Sequence, residues 1–348
     1  MGTRPMREQD IRPADILATY LDLSRRDALT FFPDPDSLPL GECPGCASPA
    51  ADTAEMYKKH GFRVVECNDC KTMFVNPRPA PDQLMAFYRD SPSTDYWANT
   101  FFPAVAEARR ELIFAPRARQ VLDLVTRASG APENVVDIGA GYGLFLEELA
   151  KLLPSARLRA IEPGLALAER CRQIGFETYE GFAEEAVRES GWNSGADLVT
   201  SFEVIEHLPD PIGFVRTMHD LARPGGMVFF SGLCGDGFDI RTLGQQSNAV
   251  SPPHHLTFLS QQGVRALLAR AGLECVSFQT PGKLDVDIVR TAFQADGEFS
   301  VEPQIRALVV EGDEKARADF QDQLVSECRS SHMWVLARRP GPPMDTQA

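Results

Sequence analysis

The stretch Val135-Val136-Asp137-Ile138-Gly139-Ala140-Gly141-Tyr142-Gly143-Leu144-Phe145 limits what this chain can become more than any other. Apolar residues with the character of a buried strand run into glycines at alternate positions, and then into a helical pattern over 144–153. Glycine is needed where backbone must turn tightly and approach a ligand without a Cβ in the way. From residue 134 onward, short apolar runs alternate with helical ones. Segments 158–162, 178–180, 197–202 and 227–231 read as further strands, 165–174 and 211–222 as helices, and Arg223-Pro224-Gly225-Gly226 as the turn before the fifth strand. Strands alternating with helices predict a parallel sheet with helices on both faces.

The carboxylate Glu162 follows 25 residues after Asp137, at the end of the next predicted strand, where it can accept hydrogen bonds from both hydroxyls of a ribose. A dinucleotide fingerprint, Gly-x-Gly-x-x-Gly, would place its third glycine at position 144, which is Leu144. Asp137 would also be unhelpful beside a pyrophosphate. It suits a ligand bearing an ammonium group. S-adenosylmethionine has a ribose, an ammonium and a sulfonium cation, and no phosphate.

Asp-x-Gly-x-Gly-x-Gly after a strand, here Asp137 to Gly143, resembles motif I of the class I S-adenosylmethionine-dependent methyltransferases. Glu162-Pro163 is similar to their motif II. Phe202-Glu203-Val204-Ile205-Glu206-His207-Leu208 resembles the segment after their fourth strand, and residues 221–226 the turn before their fifth. The resemblance implies a doubly wound, mostly parallel seven-stranded α/β sheet of Rossmann-like form. It also implies that Asp137, Gly139, Ala140, Gly141, Gly143, Glu162 and Pro163 hold S-adenosyl-L-methionine. Phe182-Ala183 would then flank the adenine, and Phe202 or Glu203 would lie beneath the methionine portion. Phe182 has a second reading as core filling.

Cys43-Pro44-Gly45-Cys46 and Cys67-Asn68-Asp69-Cys70 are separated by twenty residues. Each Cys-x-x-Cys aims two thiolates at one ion, and two such knuckles complete a tetrahedral shell suited to Zn²⁺ with no open position, hence structural. The redox reading of one pair needs a thioredoxin-like context that is absent. Residues 41–80 carry five cations (Lys58, Lys59, Arg63, Lys71, Arg78) and five anions (Glu42, Asp52, Glu55, Glu66, Asp69), a net of zero and a poor clamp for RNA. A zinc module ahead of a methyltransferase domain resembles nucleotide-sugar C-methyltransferases and certain ribosomal-RNA methyltransferases. The segment His255-Leu256-Thr257-Phe258-Leu259-Ser260 is closer to the first group, although the chain is shorter than those enzymes. The RNA reading, and that of a zinc-scaffolded binding protein with a degenerate cofactor site, stay open as alternatives.

Methyl transfer is a displacement at an already activated carbon, so the protein mainly positions an acceptor and helps remove its proton. His207, His254 and His255 are the candidate bases, with helix-start, packing or loop roles as alternatives. Asp285 and Asp287 are candidates for a polar substrate or for solvated surface. Tyr88, Tyr96 and Trp97 read as an aromatic lid or as core. His60, His219 and His332 stand without a constellation around them.

A formal charge of −14 weakens any polyanion-binding role. No apolar run reaches membrane-span length, and residues 1–6 lack the apolar core of an export signal. The expectation is a cytoplasmic enzyme acting on a small-molecule acceptor, without nucleic acid or membrane and of unassigned oligomeric state. Its parts would be a helical segment at 1–39, a zinc ribbon at 40–80, a helical linker or lid at 81–128, the methyltransferase domain at 129–339 with a helical insertion near 284–328, and a flexible tail at 340–348.

Overall fold

The computed structural model describes residues 6–295 and 301–341. Its strands, in chain order, are β1 (Thr53–Lys59), β2 (Phe62–Cys67), β3 (Met73–Val75), β4 (Asn134–Ile138), β5 (Arg157–Glu162), β6 (Glu177–Glu180), β7 (Ala196–Phe202), β8 (Ala222–Leu233), β9 (Thr257–Phe258), β10 (Glu274–Gln279) and β11 (His332–Arg338). Seven of them form one sheet in the order β10-β11-β8-β7-β4-β5-β6. Strands β4 to β8 run parallel, and β11 inserts antiparallel between β8 and β10. This is the class I methyltransferase order. Chain order reverses between β4 and β7, so a crevice opens beyond their carboxyl ends, where ligands of open α/β sheets bind.

Alternation along each strand fills two cores. Val136, Ile161, Val199 and Phe230 face helices Ala183–Glu189, Pro211–Leu221 and Gln261–Arg270. Val135, Leu158, Leu198 and Phe229 face helices Ala115–Ser129, Leu144–Leu152 and Leu165–Gln173. The expected turn at 223–226 survives inside β8 as an interruption. Ala196 pairs with Ala222 and Leu198 with Met227, so four residues of β8 bulge out, with Gly225 at φ +78°.

Upstream of the sheet, a single turn (Glu8–Ile11) precedes an 18-residue helix, Ala14–Phe31. The cysteine segment does not stop at residue 80. β1, β2 and β3 form an antiparallel sheet whose fourth strand is β9, from the later half of the chain. The helical insertion comprises Asp285–Ala295, Pro303–Arg306 and Glu314–Ser326 around Phe238, Val289, Phe293 and Leu324. Among the described residues, no helix is long and apolar enough to cross a membrane. The expected flexible tail lies outside the described residues beyond Gly341, as do the first five residues.

Candidate active site

β4 delivers Asp137 to the crevice, and the chain then turns through Gly139, Gly141 and Gly143 at φ +70°, +55° and +73°. Side chains other than glycine rarely hold such angles. A Cβ on Gly139 would meet Val204 Cγ2 at 2.7 Å, whereas one on Gly141 would meet nothing within 4 Å. The glycine turn therefore packs on one side and lies open on the other. Gly139 N–H donates to Ile161 O at 2.8 Å, which ties the turn to β5.

Asp137 is 2% exposed and accepts a 2.6 Å hydrogen bond from Thr200 Oγ1. Burial pushes its carboxyl up to about 7, against the opposing Thr200 hydrogen bond and with help from the Glu162 charge. Glu162 is buried at the end of β5, accepting from Gly141 N–H at 2.8 Å and Gly164 N–H at 2.9 Å, and burial raises its carboxyl too. Two desolvated acids flanking an open glycine turn suit a ligand with hydroxyls and positive charge. They do not suit a phosphate. Pro163 is exposed beside them, Phe182 is 43% exposed at the end of β6, and Ala183 is buried behind it. That exposure removes core filling as the reading for Phe182.

β7 ends in Phe202, and Glu203 follows at φ +54°, an uncommon angle for a non-glycine residue. Its carboxylate accepts from Ser231 Oγ at 2.5 Å and faces Arg117 at 3.5 Å and His332 Nδ1 at 3.5 Å. These partners outweigh burial and hold Glu203 well below the usual carboxylate range. Arg117 stacks on Phe202 at 5.0 Å and donates to His332 Nε2 at 3.2 Å, and Trp334 Nε1 donates to the same nitrogen at 3.0 Å. With Nε2 accepting, Nδ1 carries the proton toward Glu203. His332 thus belongs to the site, contrary to the expectation that it stands alone, and Arg117 joins it as a residue the sequence did not single out.

The three candidate bases come together unequally. Leu256 N–H donates to Glu206 O at 2.7 Å, which brings His255 beside His207 with ring centroids 4.7 Å apart. His207 Nδ1 lies 2.8 Å from His254 O and His255 Nδ1 lies 2.6 Å from Ala249 O. Both contacts require a ring N–H, because carbonyls only accept. Burial lowers both imidazoles, His255 to about 3, so both rings are neutral. His254 is only 4% exposed, paired through Nε2 with Ser93 Oγ at 3.0 Å and packed against Phe87, Tyr88 and Tyr20. It sits behind the pair rather than beside it. Glu206 is 2% exposed, and its Oε2 has no hydrogen-bond partner.

The aromatic residues cover the crevice in two ways. Tyr142, inside the glycine turn, stacks on Phe102 at 4.5 Å and donates its hydroxyl to Ala98 O at 2.5 Å. Trp97 stacks on Phe101 at 4.4 Å, and Arg109 lies over Trp97 and Phe102 with its Nε unpartnered. Tyr88 donates to His254 O at 3.0 Å. Asp285 is buried and saturated by Ser330 Oγ, Ser331 N–H and Gln321 Nε2, and Asp287 accepts from Glu8 N–H at 3.0 Å, so both serve the fold.

In the ribbon, Cys43 and Cys70 sulfurs lie 3.4 Å apart and those of Cys46 and Cys67 lie 3.6 Å apart, all four within 4.8 Å of one another. Ligands on a tetrahedral Zn²⁺ with bonds near 2.3 Å sit about 3.8 Å apart, so the four thiols fit that ion. The cluster is pressed onto the helix Gln261–Arg270. Arg270 donates to Gly45 O at 2.8 Å, and Cys70 O accepts from Ser260 Oγ.

Residues 109–278 match a family model described as a methyltransferase domain. A ubiquinone biosynthesis O-methyltransferase of Sodalis glossinidius (strain morsitans) is 37% identical over 128 residues, covering 32% of this chain and 47% of that protein. One from Ruegeria pomeroyi (strain ATCC 700808 / DSM 15171 / DSS-3) is 29% identical over 183 residues, covering 49% and 63%. The chain thus spans about half the length of the curated relatives it matches. A solved SAM-dependent methyltransferase from Archaeoglobus fulgidus superimposes with a TM-score of 0.44 at 15% identity, covering 69% of this chain and 100% of that one. The family match over residues 109–278 and the strand order of the sheet agree on the class I methyltransferase fold.

Proposed function

We propose that this protein transfers a methyl group from S-adenosylmethionine to a hydroxyl or carbon of a small polar acceptor. The observation that carries the reading is the pair of buried carboxylates, Asp137 and Glu162, on either side of a glycine turn that is open at Gly141. Asp137 holds the ammonium end, Glu162 the ribose hydroxyls, and Gly139, Ala140 and Gly143 shape the turn between them. Phe182 flanks the adenine with Ala183 behind it, Pro163 bounds the ribose, and Phe202 and Glu203 lie under the methionine portion. When bound, this cofactor supplies an electrophilic methyl carbon on a sulfonium.

The acceptor's bond to that carbon forms as the carbon–sulfur bond breaks with its electron pair left on sulfur, and the acceptor gives up one proton. His207 and His255 face the acceptor and assist that loss, and His254 positions His207 through the carbonyl that receives its ring N–H. The relatives' printed activity is O-methylation, which makes a hydroxyl the first acceptor atom to test. A sugar, nucleotide-sugar or natural-product intermediate is the favoured class, and Arg109, with its unpartnered Nε, favours an acceptor carrying an anionic group. The four ribbon cysteines hold a structural Zn²⁺.

Incubation with methyl-labelled S-adenosylmethionine and fractionated small-molecule pools, followed by mass spectrometry, tests the reading. Label in a small-molecule product supports it. Calorimetry showing no binding of S-adenosylmethionine, or binding of NAD in its place, overturns it.

A further inference from the structure

We infer that Glu206, His207 and His255 form a second metal site, a two-histidine, one-carboxylate set for a divalent first-row transition ion such as Zn²⁺, with positions left open toward the acceptor. One ligand atom from each of the three lies within 4.8 Å of the others, a spread that small side-chain rotations close onto one ion. The backbone builds this triad. Glu206 and His207 are adjacent after β7, and the Leu256-to-Glu206 hydrogen bond fixes His255 against them.

Two further features point to a ligand. Metal-binding histidines characteristically donate the other ring N–H to a carbonyl or carboxylate, which fixes the tautomer and aims the free lone pair. Both histidines do so here, at 2.8 Å to His254 O and 2.6 Å to Ala249 O, which leaves each Nε2 as the lone-pair nitrogen. Glu206 Oε2 meanwhile is buried with no partner, a costly arrangement for a lone carboxylate and an ordinary one for a ligand awaiting a cation. Imidazole and carboxylate donors together suit Zn²⁺ or Fe²⁺ better than Mg²⁺ or Ca²⁺. Three protein ligands leave a position for an acceptor oxygen, whose proton is then released to solvent. That last role rests on the methyl-transfer reading. The metal site itself does not.

The test uses full-length protein whose ribbon is already saturated with one Zn²⁺, titrated with Co²⁺ alone. A second equivalent should bind, with visible d–d absorption but no thiolate-to-cobalt charge-transfer band. Glu206→Gln and His255→Asn should each weaken it at least about tenfold, the lower bound for even outer-shell changes, with unchanged far-UV circular dichroism. The proposal is overturned if saturating Co²⁺ adds no second equivalent, if that equivalent shows thiolate bands, or if both folded variants bind it as wild type does. Should the variants not fold, the wild-type stoichiometry and spectrum decide alone. None of these readouts uses S-adenosylmethionine, so failure of methyl transfer and failure of the metal site are told apart.

Discussion

Asp137 carries a testable linkage. Folded, it holds its proton up to about pH 7, whereas in the unfolded chain it ionises in the ordinary aspartate range near 3.8. A cationic amine drawn to the ionised form must therefore displace a proton below about pH 7. S-adenosylmethionine affinity should rise by up to about tenfold per pH unit below that point and level off above it. Asp137→Asn should flatten this profile and weaken binding by about 1.5–3 kcal/mol, the range for a hydrogen bond to a charged group, read by calorimetry in buffers of different protonation enthalpy. The same shift predicts that fold stability falls between about pH 4 and about pH 7, because over that window the unfolded chain releases the proton first. Arg117→Met should cost about 2 kcal/mol, since it removes a charged partner from Glu203 and one of two donors to His332, and chemical denaturation should show it. The placement of Asp137, Glu162 and the glycines was legible in the sequence because a strand, a bare-backbone turn and an acid at the end of the next strand recur at fixed spacing. His332 and Arg117 were not. They reach Glu203 only because β11 lies antiparallel beside β8 and because a helix ahead of the sheet folds back over it.

At the scale of elements, the ribbon holds the loop that carries His254 and His255. β3 pairs with β9, Val75 N–H donates to Leu256 O at 2.8 Å, and Leu256 alone separates His254 and His255 from β9. Cys67→Ser should remove the ribbon's zinc equivalent and lower the melting temperature. It should also reduce kcat by about tenfold to a hundredfold, a misplacement effect, with little change in S-adenosylmethionine affinity. Metal analysis, thermal unfolding and steady-state kinetics read the three outcomes. The segment around Ala98 and Phe102 gives a contrasting case. Tyr142→Phe deletes the hydroxyl that reaches Ala98 O while keeping the stack on Phe102, so it should speed cofactor release without loss of fold in stopped-flow measurements. The elements of the large sheet were readable because periodicity switches there between strand and helix. The pairing of β3 with β9 was not, because a two-residue strand such as Thr257–Phe258 has no periodicity to read.

As a whole molecule, the chain couples its parts more tightly than a string of modules. The ribbon shares its sheet with β9 from the later half, Arg241 links to Glu66 at 2.5 Å, and the helix Ala14–Phe31 packs through Tyr20 on His254 and Trp97. Zinc-replete protein should therefore unfold in one transition, with far-UV circular dichroism and tryptophan fluorescence coinciding. Two separated transitions would mean that the ribbon and sheet are energetically independent. Two of the ribbon's cations are also paired with an acid just ahead of it. Lys58 and Arg63 both reach Asp36, at 2.8 and 3.0 Å, and leave little basic surface for a polyanion in a chain of net charge −14. The borrowed strand has one more consequence, for synthesis. The ribbon needs residues 257–258 to finish its hydrogen bonding, so a nascent chain on the ribosome carries an incomplete ribbon edge until residue 258 has emerged. Assembly of the first module is thereby postponed to the arrival of the second.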